Sequence, residues 1–107
     1  MPHTTAQPEE EWRPVVGNHK YEISSLGRLR NAETSRISKV KPRKDGYVWH
    51  SLVGTNSKEK IVKLAHIMVA EAFLPKLDGC NIVNHKDGIK TNNNVANLEY
   101  VTASQNT

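Results

Sequence analysis

The chain has 107 residues, enough for one compact domain or for one domain with a short appendage. Hydrophobic residues make up 36% of it, and no apolar run approaches the ~18 residues that a membrane span requires. A single cysteine, Cys80, excludes an internal disulfide framework and a CxxC zinc site, while Lys and Arg outnumber Asp and Glu by 15 to 11.

Residues 1–11 read as a disordered arm, with Pro2, Pro8, small polar residues and the acidic run Glu9-Glu10-Glu11. The arm has neither a basic n-region nor an apolar h-region, so no secretory signal is expected and a reducing cytoplasm is the expected location. Order is expected from Trp12. Tyr21-Glu22-Ile23-Ser24 and Arg28-Leu29-Arg30 alternate in polarity on either side of Ser25-Leu26-Gly27, which predicts a hairpin turning at Gly27. Ile37–Lys41 reads as a short strand ended by Pro42. Lys44-Asp45-Gly46 is a turn signal before a strand over Tyr47–Val53, and Lys60–Leu64 reads as its return strand after a polar turn at Thr55–Lys58. Trp12 and Trp49 are expected as core anchors. Residues 12–62 thus form a mostly-β module.

Its basic residues are unevenly placed. Arg28, Arg30, Arg36, Lys39, Lys41, Arg43 and Lys44 fall in one segment opposed only by Glu33. Cations so clustered suit a phosphate backbone, because neutralising phosphates releases condensed counterions, although a solvated charged face has the same composition. Arg28, Arg30, Lys39, Lys41, Arg43 and Lys44 are the candidate contacts to a nucleic-acid backbone.

Residues 63–107 read as a helix followed by strand, loop, strand and helix. Leu64, Ile67, Met68, Val69, Ala72 and Phe73 form an apolar stripe of helical period stopped by Pro75. Ile82-Val83 leads into Asn84-His85-Lys86-Asp87-Gly88-Ile89-Lys90-Thr91-Asn92-Asn93-Asn94, a polar loop, and Leu98–Val101 is the strand after it. Thr102-Ala103-Ser104-Gln105 has the form of a capping box, so a last helix is expected from about Ala103.

Folding back of this segment can gather Asn84, His85 and Asn106. A neutral imidazole, with an ordinary pKa of ~6.5, is a suitable base for water. Oxygen ligands suit a hard cation such as Mg²⁺ or Mn²⁺. Spacing alone leaves the alternatives open: His85 as a hydrogen-bonding loop residue, and the asparagines as turn formers. His66 reads as a packing or hydrogen-bonding residue beside the apolar stripe, His50 as a strand residue facing either way, and His19 has no assigned role.

The stretch from Val83 to Thr102, with Asn84-His85, Asn92-Asn93 and Asn97-Leu98 in place, closely resembles the HNH motif of phage and intron-encoded homing endonucleases. His66–Pro75 looks like the helix that precedes the motif in that family, and Glu11–Val15 with Tyr21–Arg30 is similar to a DNA-binding module often found beside it. The resemblance implies an α+β fold, a small mostly-β N-terminal module followed by a helix and a ββα-metal motif, and metal-dependent DNA cleavage with no small-molecule cofactor. It puts His85 on the general base, Asn84 and Asn106 on metal-ligand positions, and Asn97 on the asparagine that braces the loop and orients the histidine.

Asn84 stands where some relatives have Asp, and a neutral amide binds a hard cation more weakly than a carboxylate does. The sequence ends at Thr107, about one turn into the expected helix that carries Asn106. These two departures keep an alternative in view, a catalytically weak or inactive DNA-binding or inhibitory module of the same fold. With one site per chain a nick is expected; a paired cut would need a homodimer.

Overall fold

The computed structural model describes residues 10–54 and 58–104. The first element is a three-stranded antiparallel sheet of β1 (Trp12–Val15), β2 (Asn18–Ser24) and β3 (Leu29–Asn31) in that order. The expected hairpin is β2–β3, with Ile23 opposite Leu29 and Gly27 in the turn at a φ of 93°. Alternation explains it, since Ile23 and Leu29 both point inward and are fully buried while Arg28 between the strands is exposed. The strand β1 has no clear signal in the sequence. It pairs with β2 from Trp12 opposite Ser24 and breaks register between Pro14 and Val15, the kind of edge position in which a strand tolerates proline.

The strands β4 (Trp49–Val53) and β5 (Lys60–Leu64) form a second antiparallel pair, joined across residues 55–57, which lie outside the described residues. The expected strand over Ile37–Lys41 does not form: Ile37 makes one isolated bridge to Arg30, and residues 38–40 are exposed and irregular. A strand needs a partner along its length to satisfy its backbone, and here the pairing ends after one residue.

From β5 the chain enters α1 (Ala65–Phe73) directly, with Leu64 as its extended N-cap and Leu74 as its C-cap, one residue before Pro75. Its buried face is Ala65, His66, Met68, Val69 and Ala70. The helix is followed by β6 (Ile82–His85), a loop, a 3₁₀ turn at Val95–Asn97 and β7 (Leu98–Val101). β6 and β7 are antiparallel, with Asn84 opposite Glu99 and His85 opposite Leu98. Ala103 and Ser104 form a turn; the expected helix beyond them, and with it Asn106, lies outside the described residues.

One hydrophobic core ties these elements together. Val15, Ile23 and Leu29 from the first sheet pack with Leu52, with Met68, Val69 and Ala70 of α1, and with Val83 and Leu98 of the last hairpin. Burying such side chains contributes about 1.5–3 kcal/mol each, so the two halves of the chain depend on one another for stability. Trp12 and Trp49 lie outside this core and are only partly buried, contrary to the expectation of core anchors. The indole of Trp12 instead faces cations, with the Arg30 guanidinium 4.1 Å and the Arg28 guanidinium 5.6 Å from its ring. Glu10 and Glu11, expected in the arm, are attached to this sheet: Glu10 pairs with Arg28, and Glu11 exchanges hydrogen bonds with Ser25. Residues 1–9 of the arm lie outside the described residues. Among the described residues no helix is long and apolar enough to cross a membrane.

Candidate active site

His85 is the last residue of β6, and its side chain is buried in the wall of a cavity of about 510 Å³. Tyr47, Trp49, His66, Asn84 and Lys90 also line that cavity. The ring of His66, from the first turn of α1, lies 4.6 Å from the His85 ring and stacks on Tyr47 at 5.4 Å. Burial, and secondarily the neighbouring His85, pushes the His66 pKa down to about 4, so His66 is a neutral wall at physiological pH. Lys90 brings a positive charge to the same opening. Its Nζ sits 4.7 Å from the Tyr47 ring centre and donates to the Asp45 carbonyl at 2.9 Å.

Among the described residues the imidazole of His85 bonds the buried Asn93, whose Oδ1 lies 2.9 Å from Nε2. Asn84 donates from Nδ2 to Glu99 Oε2 at 2.9 Å across the strand pair. That bond fixes the amide with its nitrogen committed and leaves Oδ1 as a hard oxygen donor, which suits a divalent cation. Among the described residues no three His, Cys, Asp or Glu side chains cluster as a metal site. Of the two expected metal-ligand positions, Asn84 is described and Asn106 lies outside the described residues.

Asn97 braces the loop. Its Nδ2 donates to Asp87 Oδ1 and to the Asn92 carbonyl, both at 2.9 Å, and its Oδ1 accepts from the Asp87 N–H at 3.1 Å. Its own carbonyl accepts from the Lys86 N–H at 2.8 Å, beside His85. Asp87 does not stand out in the sequence, yet it organises the loop by accepting from Asn92, Asn97 and the Ile89 N–H. The Asn92 amide foremost, and the Ile89 N–H after it, hold the Asp87 carboxyl below the usual aspartate range. Among the described residues the side chain of Asn97 makes no hydrogen bond to the His85 ring; the side chain that does is Asn93. Within Asn92-Asn93-Asn94 only its burial, 5% exposed, sets Asn93 apart, and the sequence carries no sign of that.

The candidate DNA contacts divide into two groups. Arg28 is paired with Glu10, its Nε 2.8 Å from Oε2, and Arg30 with Glu22 at 2.7 Å. Lys39, Lys41, Arg43 and Lys44 lie on an exposed segment, with the Arg43 guanidinium 5.3 Å from the ring of Trp49 at the rim of the cavity. His50 is buried, and its Nε2 lies 2.9 Å from the Gly27 carbonyl. His19 is exposed.

Comparison with known proteins bears on the fold and the family. Residues 63–107 match the HNH endonuclease family and residues 10–53 the NUMOD4 motif. An uncharacterized HNH endonuclease of Acanthamoeba polyphaga mimivirus is 38% identical over 96 residues, covering 90% of this chain and 28% of that protein. The DNA endonuclease I-HmuI of Bacillus phage SP01 is 32% identical over 97 residues, covering 90% of this chain and 55% of that enzyme. A solved structure concerned with DNA binding and cleavage by the HNH homing endonuclease I-HmuI superposes with a TM-score of 0.77 at 30% identity, over 90% of this chain and 55% of that one. The chain thus spans about half or less of the length of these relatives. HNH nucleases generally use a divalent metal ion. The chain thus carries a domain of the HNH endonuclease family behind a NUMOD4 motif, in the α+β architecture of I-HmuI.

Proposed function

We propose that this chain is the DNA-cleaving part of a homing-type HNH endonuclease, hydrolysing one phosphodiester bond of double-stranded DNA with His85 as the general base and leaving a nick. The observation that carries the reading is His85 itself, a buried histidine at a strand end, opening on a cavity beside Asn84 and held by one hydrogen bond to Asn93. In the reaction a water attacks phosphorus, His85 takes its proton, and the bond to the leaving 3′ oxygen breaks. Asn84 and Asn106 would hold one divalent cation, Mg²⁺ or Mn²⁺, which when bound supplies positive charge for the developing charge on the phosphate and the leaving oxygen.

The protein's own groups do the rest. Neutral His66 and Tyr47 wall off one side of the imidazole and limit water there. Lys90 offers a cation to an incoming phosphate, and the basic segment over residues 28–44 offers more along the backbone. The phage and mimivirus sources of the relatives support a protein of a mobile element, acting in the host cytoplasm.

Supercoiled plasmid incubated with the chain and Mg²⁺ or Mn²⁺ tests this. Nicked circles that need the metal and vanish with chelator are the expected result, and linear product would instead point to a homodimer making a paired cut. An intact plasmid with either metal, under conditions where a gel shift shows binding, would favour the alternative of an inactive DNA-binding module, for which the neutral amide at Asn84 is the specific observation.

A further inference from the structure

The N-terminal sheet reaches the loop that holds His85. Gly27, in the turn of the β2–β3 hairpin, is buried, and a Cβ placed on it would lie 2.6 Å from the Cβ of Asn93. No side chain fits at that distance, so the turn and Asn93 touch at the closest approach that glycine permits. Two further bonds pin the contact. The Val95 N–H donates to the Ser25 carbonyl at 2.7 Å, and the buried His50 Nε2 meets the Gly27 carbonyl at 2.9 Å. Ser24 stiffens the turn from within, its Oγ accepting from the N–H groups of Leu26 and Arg28.

The bond from Asn93 to His85 has a chemical consequence. An amide oxygen only accepts, so the imidazole nitrogen facing Asn93 Oδ1 at 2.9 Å must carry the hydrogen. Nε2 is then the donor, the lone pair falls on Nδ1, and the ring has one orientation. The opposite tautomer would set two lone pairs against each other in a buried site, where an unmade hydrogen bond is costly.

We infer that Asn93 is the positioning residue of this site, fixing the tautomer and orientation of His85, and that the hairpin turn at Gly27 holds Asn93 in place for that task. The N-terminal module thereby takes part in cleavage through its packing as well as through any DNA contact. The inference rests on His85 as general base, and the two can fail separately.

The test uses the full chain and the variants Asn93→Asp and Asn93→Leu. Both keep a Cβ against Gly27 and the same branched outline, Asp at nearly the same volume and Leu with bulkier methyl groups, but only Asp retains an acceptor. Long-range ¹H–¹⁵N spectra of the His85 ring at alkaline pH should show the Nε2–H tautomer in the wild type and in Asn93→Asp, and a mixture in Asn93→Leu. In plasmid nicking, Asn93→Leu should lower kcat by about 10²-fold, the scale of a misplaced reacting group, with KM for DNA unchanged. Asn93→Asp should restore kcat to within several-fold of wild type. An Nδ1–H tautomer in the wild type would overturn the inference, as would wild-type kcat in Asn93→Leu or an equal loss in both variants. If Asn93→Leu does not fold, the wild-type tautomer and the Asn93→Asp rate decide it. Wild-type cleavage by His85→Ala would instead sink the general-base reading while leaving the tautomer result standing.

Discussion

Gly27→Ala offers a quantitative test of the contact between the two halves of the chain. Gly17 and Gly27 have nearly the same backbone, with φ of 86° and 93°, but a Cβ on Gly17 meets nothing within 4 Å while one on Gly27 meets Asn93 at 2.6 Å. Both substitutions carry the strain of an L residue in the left-handed region, about 1–2 kcal/mol. Gly27→Ala adds overpacking against a buried neighbour, about 1–3 kcal/mol, for a total of roughly 2–5 kcal/mol. Since a domain of this size has ~5–15 kcal/mol in all, the loss is large. Thermal unfolding should therefore place Gly27→Ala below Gly17→Ala by roughly 4–24 °C, at about 4–8 °C per kcal/mol. Adding Asn93→Gly to Gly27→Ala should recover the overpacking part, a coupling of about 1–3 kcal/mol in a double-mutant cycle. Equal destabilisation by the two alanines, with no coupling to position 93, would refute the claim that the turn bears on the loop.

The same geometry bears on acid stability, the loop, the metal and DNA. His66 titrates at about 4 in the folded chain and ~6.5 when unfolded, so the folded state resists protonation and loses at most roughly 3 kcal/mol as pH falls from about 6.5 to 4. Urea midpoints at about pH 7 and pH 4 should differ much less in His66→Phe; an equal acid loss would remove His66 as the cause. In thermal unfolding, Asn97→Ala should cost about 1 kcal/mol for each of its bonds to the Asn92 carbonyl and the Asp87 N–H. Asn97→Asp should destabilise further, since it turns a carboxylate on Asp87, and a milder effect than alanine would contradict the loop as described. Asn84→Asp sets a carboxylate against Glu99, so its melting point should fall without metal and recover with Mg²⁺, and its saturating metal concentration in nicking should drop. Asn106→Ala should raise that concentration, and unchanged metal midpoints in both variants would exclude the metal site as drawn. Replacing Lys39, Lys41, Arg43 and Lys44 should flatten the salt dependence of DNA binding, its slope falling by ~0.9 for each phosphate that is no longer neutralised. Replacing Arg28 and Arg30, which are already paired with Glu10 and Glu22, should flatten it less; a larger change there would mean that DNA displaces those carboxylates.

Much of this architecture is legible from local pattern. Alternation around Gly27 marks the β2–β3 hairpin, the apolar stripe up to Pro75 marks α1, and the polar loop between two apolar runs marks β6 and β7. These features depend on neighbours in sequence, where propensity and period speak directly. The strand β1 is hidden because Pro14 argues against a strand, while its pairing with β2 depends on an edge position that only the fold supplies. Ile37–Lys41 misleads for the converse reason: its residues suit a strand, but pairing stops at the single bridge of Ile37 to Arg30 and the bond from the Ser38 N–H to the Leu29 carbonyl.

The site shows the same division. Asn84 and His85 can be read as a pair from their place at a strand end, and Asn97 only through the resemblance to the HNH motif. Asn93 cannot, because an asparagine between two others reads as a turn former, and its inward orientation depends on a glycine in the other half of the chain. The role of Asp87 is hidden similarly, since a loop carboxylate shows its partners only when the loop closes on Asn92 and Asn97.

The measurement that bears most directly on the central claim is the single-turnover nicking rate of His85→Ala beside that of the wild type, with Mg²⁺ and DNA both saturating. Removing a general base should lower that rate by about 10²–10⁴-fold, while DNA affinity by gel shift stays close to wild type at a temperature where circular dichroism shows the variant folded. The melting temperature should fall only by the cost of leaving Asn93 Oδ1 unpaired, about 1–3 kcal/mol. A His85→Ala chain that nicks plasmid at the wild-type rate would contradict the account.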